Sequence, residues 1–252
     1  MNLKLVIIPT YNESDNVERV SSAVLNAVSN ADLLFVDDNS PDGTGQLIDT
    51  LIENNDRIKV LHRQDKDGLG RAYIAGFEWA LKQNYQYIVQ MDADLSHDPA
   101  ALPDLFAAAE NHDVVIGSRY VDGIRIMDWP LSRLILSKCA SKYVRIITGI
   151  PFQDPTSGFN CYRRAVLEHL ELGTITANGY SFLVELKHRA WILGFKLVEV
   201  PITFHERRSG ESKMNAAIIR EAILLMWKLM FKWKFRRRPL TQSHEASVAS
   251  SN

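Results

Sequence analysis

Two carboxylates stand one residue apart in Asp92-Ala93-Asp94, directly after the apolar run Tyr87 to Met91. That run reads as a buried strand. A turn at its end lets both carboxylates reach one ligand, and the small Ala93 lets the ligand lie against the backbone. Hard oxygen donors beside open positions suit Mg2+ or Mn2+, which take a carboxylate or two and fill the shell with water and substrate phosphate. Short acidic pairs at strand ends are also common as solvated turns, so the elements around this one decide its meaning.

Those elements alternate. Leu3 to Ile8 is an apolar strand stopped by Pro9, and in Thr10-Tyr11-Asn12-Glu13 and onward, Asn12 or Ser14 is placed to cap a helix running to about Ser29. Leu33 to Val36 is a second strand, entering Asp37-Asp38-Asn39-Ser40-Pro41-Asp42-Gly43-Thr44. A helix from about Gly45 to Asn54, a strand at Ile58 to His62, and a helix opened by Gly68-Leu69-Gly70 and running through Trp79 and Lys82 come next. The Tyr87 strand is fourth and Val114 to Gly117 fifth. This order predicts an α/β domain with a mostly parallel central sheet and helices on both faces.

Ligands bind such sheets beyond the carboxyl ends of the strands. Pro9 to Glu13, Asp37 to Thr44 and Asp92 to Asp94 all fall there. Each has the composition of an ordinary turn, but their concurrence on one edge is a stronger signal. No G-x-G-x-x-G follows the first strand and no G-x-x-x-x-G-K-[ST] occurs, which disfavours a dinucleotide site or a P-loop. Acidic loops in place of glycine nests point to phosphates held through a metal, with base and ribose held by carboxylates.

Composition excludes other classes. With 252 residues, 46% hydrophobic and 23% charged, the chain can bury a core of one domain plus a short appendage. A net charge of −1 gives no field for nucleic acid. Cys139 and Cys161 are the only cysteines, so neither a disulfide framework nor a zinc site follows. Pro9 and the polar run after it interrupt any signal-peptide pattern, and no window of 18 residues is free of charge, which leads us to expect a cytoplasmic protein.

The motifs P-T-Y-N-E (Pro9 to Glu13), V-D-D-N-S-P-D-G-T (Val36 to Thr44), M-D-A-D-L-S-H-D-P (Met91 to Pro99), G-S-R-Y (Gly117 to Tyr120), D-P-T-S-G-F (Asp154 to Phe159) and G-E-S-K (Gly210 to Lys213) resemble those of family 2 glycosyltransferases. Within that family the chain is similar to the dolichyl- or polyprenyl-phosphate mannose synthase branch, from about Leu3 to Lys213. The resemblance implies a GT-A fold, GDP-mannose as donor, a polyprenyl phosphate as acceptor and a divalent cation. Carried over by motif, Pro9, Tyr11, Glu13, Val36 and Asp38 hold base and ribose. Asp92, Ala93 and Asp94 hold ribose, metal and pyrophosphate, while Arg119, Arg207 and Lys213 face the phosphates. Ser96 completes the metal shell where the family often has Gln. Asp154 lies in an active-site loop, and with Asp94 and Arg119 makes up the expected catalytic set. His97 and His205 read as polar neighbours of motifs, and Glu185 as an ordinary surface carboxylate.

The chemistry is consistent with that set. Cleaving a sugar–phosphate bond builds oxocarbenium character on the sugar and negative charge on the nucleoside diphosphate, which a metal at Asp94 and the cations Arg207 and Lys213 would stabilise. A phosphate monoester acceptor is already largely ionised and needs no general base. The Q-x-x-R-W motif of members that glycosylate hydroxyls is absent; the nearest later stretch is Gly179 to Glu185. Arg119 is a partner for such a phosphate, and direct displacement would give a β-linked product. Donor identity rests on the resemblance. The alternatives are a glucosyltransferase using UDP-glucose and a catalytically silent sugar-nucleotide-binding subunit.

Two segments speak of membranes. Asp128 to Ile150 sets Leu131, Leu134, Ile135, Lys138, Lys142 and Arg145 at helical spacing, and Ala216 to Phe235 is richer in apolar and aromatic residues, with Lys228, Lys232, Lys234 and Arg236 to Arg238. Such helices suit an anionic surface. The expected organisation is a catalytic domain over 1–215, an interfacial helix over 216–238 and a disordered tail over 239–252. The protein would sit peripherally on the cytoplasmic face, with a homo-oligomer or a small membrane subunit left open as partner.

Overall fold

The computed structural model describes residues 3–206 other than 176 and 178, together with 226, 227 and 231. Its elements are β1 (Lys4–Thr10), α1 (Ser14–Ala27), β2 (Ala31–Asp37), α2 (Thr44–Asn54), β3 (Ile58–His62), α3 (Leu69–Leu81), β4 (Tyr87–Gln90), α4 (Leu102–Ala109), β5 (Val114–Ser118), α5 (Leu131–Thr148), β6 (Asn160–Arg163), α6 (Arg164–His169), α7 (Gly179–Ile192) and β7 (Leu197–Pro201). The strands form one sheet in the order β3-β2-β1-β4-β6-β5-β7. All run parallel except β6, which opposes both β4 and β5.

Successive strand residues point to opposite faces. Leu5, Ile7, Leu34, Val36, Ile88 and Ile116 therefore meet α3, α6 and α7, while Val6, Ile8, Leu33, Phe35, Val89 and Val115 meet α1, α2 and α4. Helices on both faces explain why β1, β2, β4 and β5 read as continuous apolar runs.

β1 continues through Pro9 and Thr10, past the expected stop. Its pairing with β4 ends at Ile7↔Gln90, whereas pairing with β2 runs on to Thr10↔Asp37. Ile7 turns its carbonyl to Met91 N–H on the β4 side. The imide nitrogen of Pro9 faces the same way, beyond the last β4 partner, so no ladder bond is lost.

α7 departs further from expectation. Residues 181–190 are all buried. Glu185, expected at the surface, is 3% exposed and paired with Arg189 one turn on, whose guanidinium also donates to the Leu170 and Thr174 carbonyls and Thr174 Oγ1. A charge carried this deep persists only with partners of that kind.

α5 forms inside the segment read as amphipathic. It buries Ser141 and Val144 and leaves Leu131, Ile135, Leu136 and Ile146 exposed. Among the described residues no helix is long and apolar enough to cross a membrane. The helix expected over 216–238 and the tail over 239–252 lie outside the described residues, apart from buried Met226 and the exposed, mutually stacked Trp227 and Phe231.

Candidate active site

The strand order reverses at β1: β2 and β3 lie to one side of it, β4 and the later strands to the other. A crevice opens at such a switch point beyond the carboxyl ends, and the loops after β1, β2 and β4 converge there. The first two are interlocked. The backbone N–H groups of Asn12, Glu13 and Ser14, where α1 begins, donate to Ser40 Oγ, Thr44 Oγ1 and Asp42 Oδ2 at 3.1, 3.0 and 3.2 Å. First-turn amides need such acceptors, and here they come from the neighbouring loop instead of from the expected caps Asn12 or Ser14. Asp42 stays ionised to about pH 2: its slight burial is outweighed by hydrogen bonds from Thr44 and Ser14. Buried Asp37 ties the loops together, accepting from Thr10 Oγ1 at 3.0 Å and from Ser40 Oγ at 2.6 Å.

Around the mouth of this crevice, Pro9, Tyr11 and Glu13 are half-buried. The Tyr11 ring carries Lys66 Nζ 3.4 Å from its centroid, and Glu13 Oε2 accepts from Asn16 Nδ2 at 2.7 Å. Val36 is fully buried against α3, where its Cγ2 would lie 3.1 Å from a Cβ at Gly76, so it offers the site no side chain. Asp38 is buried and paired with Arg63; burial pushes its carboxyl up against the pull of that guanidinium. Arg63 and Lys66 were missed in the sequence. The signal was available: they follow β3 and so occupy a fourth loop on the same edge.

Asp92 and Asp94 lie on the loop after β4, both half-buried, with Ala93 buried between them. Asp92 Oδ1 accepts from the Tyr73 hydroxyl at 3.2 Å, and its backbone N–H donates to His97 Nδ1 at 3.2 Å. His97 is thus occupied as an acceptor, stacked on Phe159 at 5.1 Å and edge-on to Phe204 at 5.6 Å, a structural role consistent with the neighbour reading. Asp94 Oδ1 accepts Ser96 N–H at 3.0 Å. Leu95 between them adopts φ 58°, a left-handed conformation costly for a branched side chain and characteristic of functional turns. Ser96 is 1% exposed and its Oγ has no hydrogen-bond partner. Two carboxylates and a buried, unsatisfied hydroxyl make an all-oxygen donor set that fits a hard divalent cation. Among the described residues no group of three or more His, Cys, Asp or Glu forms a closed cage, so such a cation would keep positions for phosphate oxygens.

On the far side of the edge, Arg119 follows β5 and is 7% exposed. Its Nε and NH2 donate to Asp154 Oδ2 and Oδ1, both at 2.7 Å, its backbone N–H donates to Oδ2 at 3.0 Å, and NH2 also reaches Thr156 Oγ1 at 2.9 Å. Tyr120, Trp129 and Phe204 place their rings 5.4, 5.9 and 5.5 Å from the guanidinium carbon. Asp154 itself has no exposed surface. Burial pushes its carboxyl up, but the charge and hydrogen bonds of Arg119 hold it below the usual range. Asp154, expected in the catalytic set, has its carboxylate fully buried and taken up by Arg119 and by the Thr156 hydroxyl at 3.2 Å. Glu199 of β7, also missed in the sequence, anchors this loop by accepting the Gln153 and Asp154 N–H groups at 2.7 and 2.8 Å. Arg207 and Lys213 lie outside the described residues.

Comparison with known proteins agrees with this architecture. The chain is 48% identical over 236 residues to the polyprenol monophosphomannose synthase of Mycolicibacterium smegmatis, covering 93% of this chain and 88% of that one. It is 45% identical to the undecaprenyl-phosphate mannosyltransferase of Micrococcus luteus, covering 94% and 98%. Identity to the dolichol-phosphate mannosyltransferase of Saccharomyces cerevisiae is 33%, covering 91% and 87%. Among solved structures, a mannosyltransferase from Pyrobaculum calidifontis in complex with GDP-Man and Mn2+ superposes with a TM-score of 0.56 at 17% identity, over 95% of this chain and 66% of that one. The fold is GT-A-like. The model described as "Glycosyl transferase family 2" matches residues 5–171, the span from β1 through the helix after β6, and the chain belongs to that family.

Proposed function

We propose that this protein moves mannose from GDP-mannose to a polyprenyl phosphate with inversion, leaving a β-linked lipid-phosphate mannose. The observation that carries the reading is the state of Asp154. A hydroxyl acceptor needs a base, and the one carboxylate that sequence motifs bring beside Arg119 is buried and neutralised by it. A phosphate monoester, with a second pKa of about 6, is an ionised nucleophile at neutral pH without help. The mannose and the lipid phosphate are supported by the names of relatives that are 45–48% identical along nearly the whole chain.

In this reading Pro9, Tyr11, Glu13 and Asp38 line the seat of base and ribose. Asp92, Asp94 and Ser96 would hold Mg2+ or Mn2+, which when bound supplies positive charge to the departing diphosphate. Arg119, oriented by Asp154, holds the acceptor phosphate for attack on the anomeric carbon. Arg207 and Lys213, outside the described residues, are assigned to the donor phosphates by their motifs alone. A peripheral seat on the cytoplasmic face of an anionic membrane is supported by the apolar residues α5 exposes beside Lys138, Lys142 and Arg145, and by the basic, apolar-rich sequence over 216–238.

The test is to incubate the purified protein and Mn2+ or Mg2+ with labelled GDP-mannose or UDP-glucose, with and without a polyprenyl phosphate, and count label in the organic phase. Label from GDP-mannose that requires the lipid phosphate is the expected result. Label from UDP-glucose alone would replace the donor, and label from neither would overturn the reading.

A further inference from the structure

A buried amine sits where the Asp92–Asp94 and Arg119 sides of the carboxyl edge meet. Lys187, on α7, has no exposed surface; its Nζ lies 2.7 Å from the Ser157 carbonyl oxygen and 3.4 Å from Asn160 Oδ1. Neither acceptor is a carboxylate. Taking a lysine head group this deep is unfavourable, and an apolar side chain of similar volume would fill the space without that penalty. What the amine holds therefore matters.

It holds the segment from Asp154 to Phe159 at its centre. On one side Ser157 Oγ donates to the Gly117 carbonyl at 2.6 Å, two residues before Arg119, and Asp154 clamps the guanidinium itself. On the other side Asn160 Nδ2 donates to Gln90 Oε1 at 3.2 Å, and the Tyr162 hydroxyl donates to the same oxygen at 3.1 Å. Gln90 ends β4, two residues before Asp92. Between these sides Gly158 passes so near the carboxylates that a Cβ there would lie 3.3 Å from His97 Cε1 and 3.7 Å from Asp92 Oδ2.

We propose that Lys187 is a positioning residue for the transfer: by holding the Ser157 carbonyl and the Asn160 amide it sets the distance between the Asp92–Asp94 carboxylates and the Arg119 guanidinium. This rests on the functional reading above, in which both groups act on one donor–acceptor pair. The ionisable groups facing the amine are Asp154 on the segment, Arg119 after β5 and Glu199 on β7. Burial draws the amine down to about 7, with Asp154 opposing and Arg119 reinforcing the shift. The neutral and charged amines both donate to Ser157, so the hold persists across that range while the charge beside Arg119 changes.

Lys187→Met and Lys187→Gln in the full-length protein separate this role from a merely structural one. Four readouts are needed: melting temperature, kcat and KM for each substrate, the pH profile of kcat, and amide hydrogen exchange over residues 153–160. Lys187→Met should melt at or above wild type, keep the KM for GDP-mannose within about threefold, and lose kcat about 10- to 100-fold. Exchange in the segment should quicken and the limb of the kcat profile near pH 7 should vanish. Lys187→Gln, which retains a donor, should recover part of kcat, and it carries the same test should the methionine variant not fold. A folded Lys187→Met with kcat within about twofold of wild type, or a loss that tracks the folded fraction, would overturn the proposal. Where wild type transfers from neither donor, it is the functional reading that fails; unchanged exchange in the variant then overturns the positioning role separately.

Discussion

On the β1–β2–β4 side of the carboxyl edge, Asp92 and Asp94 are half-buried, and Asp94 is held by an amide of its own loop. On the β5–β6–β7 side, Arg119 and Asp154 form a buried pair closed across 35 residues of sequence. The first arrangement leaves half-buried carboxylates at the mouth of the crevice. The second fixes a cation by making it part of the core. In the proposed reading such a site separates roles: the carboxylates assigned to the donor should be replaceable without unfolding, whereas the pair assigned to orient the acceptor should not.

Mutations on the two sides should therefore differ in kind. The largest effect on turnover is expected for Asp94→Ala, about 1,000-fold or more in kcat/KM with an unchanged melting temperature; wild-type turnover would remove the metal assignment. Asp154→Ala should lose both turnover and stability, the latter by about 3–5 kcal/mol, because it strands a buried guanidinium, and chemical denaturation measures it. If Asp154→Ala proved as stable as wild type, the contrast between the sides would disappear.

A smaller effect follows from titration. The unfolded Lys187 amine keeps its proton to about pH 10.4, while the folded one loses it near 7. The unfolded state then binds more protons between those values, so stability should rise with pH across that window and level off below about 7, where both states hold the proton. Melting curves of wild type should show this slope and those of Lys187→Met should not. Gly158→Ala, which presses a methyl toward His97 where the two sides meet, should lower kcat about 3- to 10-fold with little change in KM. The smallest effect belongs to Ser96→Ala. Removing a buried hydroxyl that has no partner should leave stability unchanged or slightly raised, while the Mn2+ concentration for half-maximal activity rises about threefold; a metal titration reads it.

The legible parts of this molecule are local. β1 to β5 and the helices α1 to α3 showed in apolar runs, turn residues and helical periodicity, and Asp92, Asp94 and the Asp37–Thr44 loop stood out because they end strands. β6 and β7 did not. Asn160-Cys161-Tyr162-Arg163 mixes polar and apolar residues over four positions, and β7 is half-buried along its whole length, so neither carries a clear period. Glu185 read as an ordinary surface carboxylate, because nothing within α7 says that both flanks of the helix will be covered.

The sequence by itself determined the strand and helix alternation and the three acidic or polar clusters at strand ends, since side-chain periodicity and turn chemistry act over a few residues. Only the tertiary structure decided that β6 enters antiparallel between β4 and β5. That insertion brings the Asp154–Phe159 segment against Asp92, closes Asp154 on Arg119, and buries Lys187 beneath them. Those contacts join groups 30 or more residues apart, and their energies depend on desolvation and partner geometry that exist only once the sheet has formed.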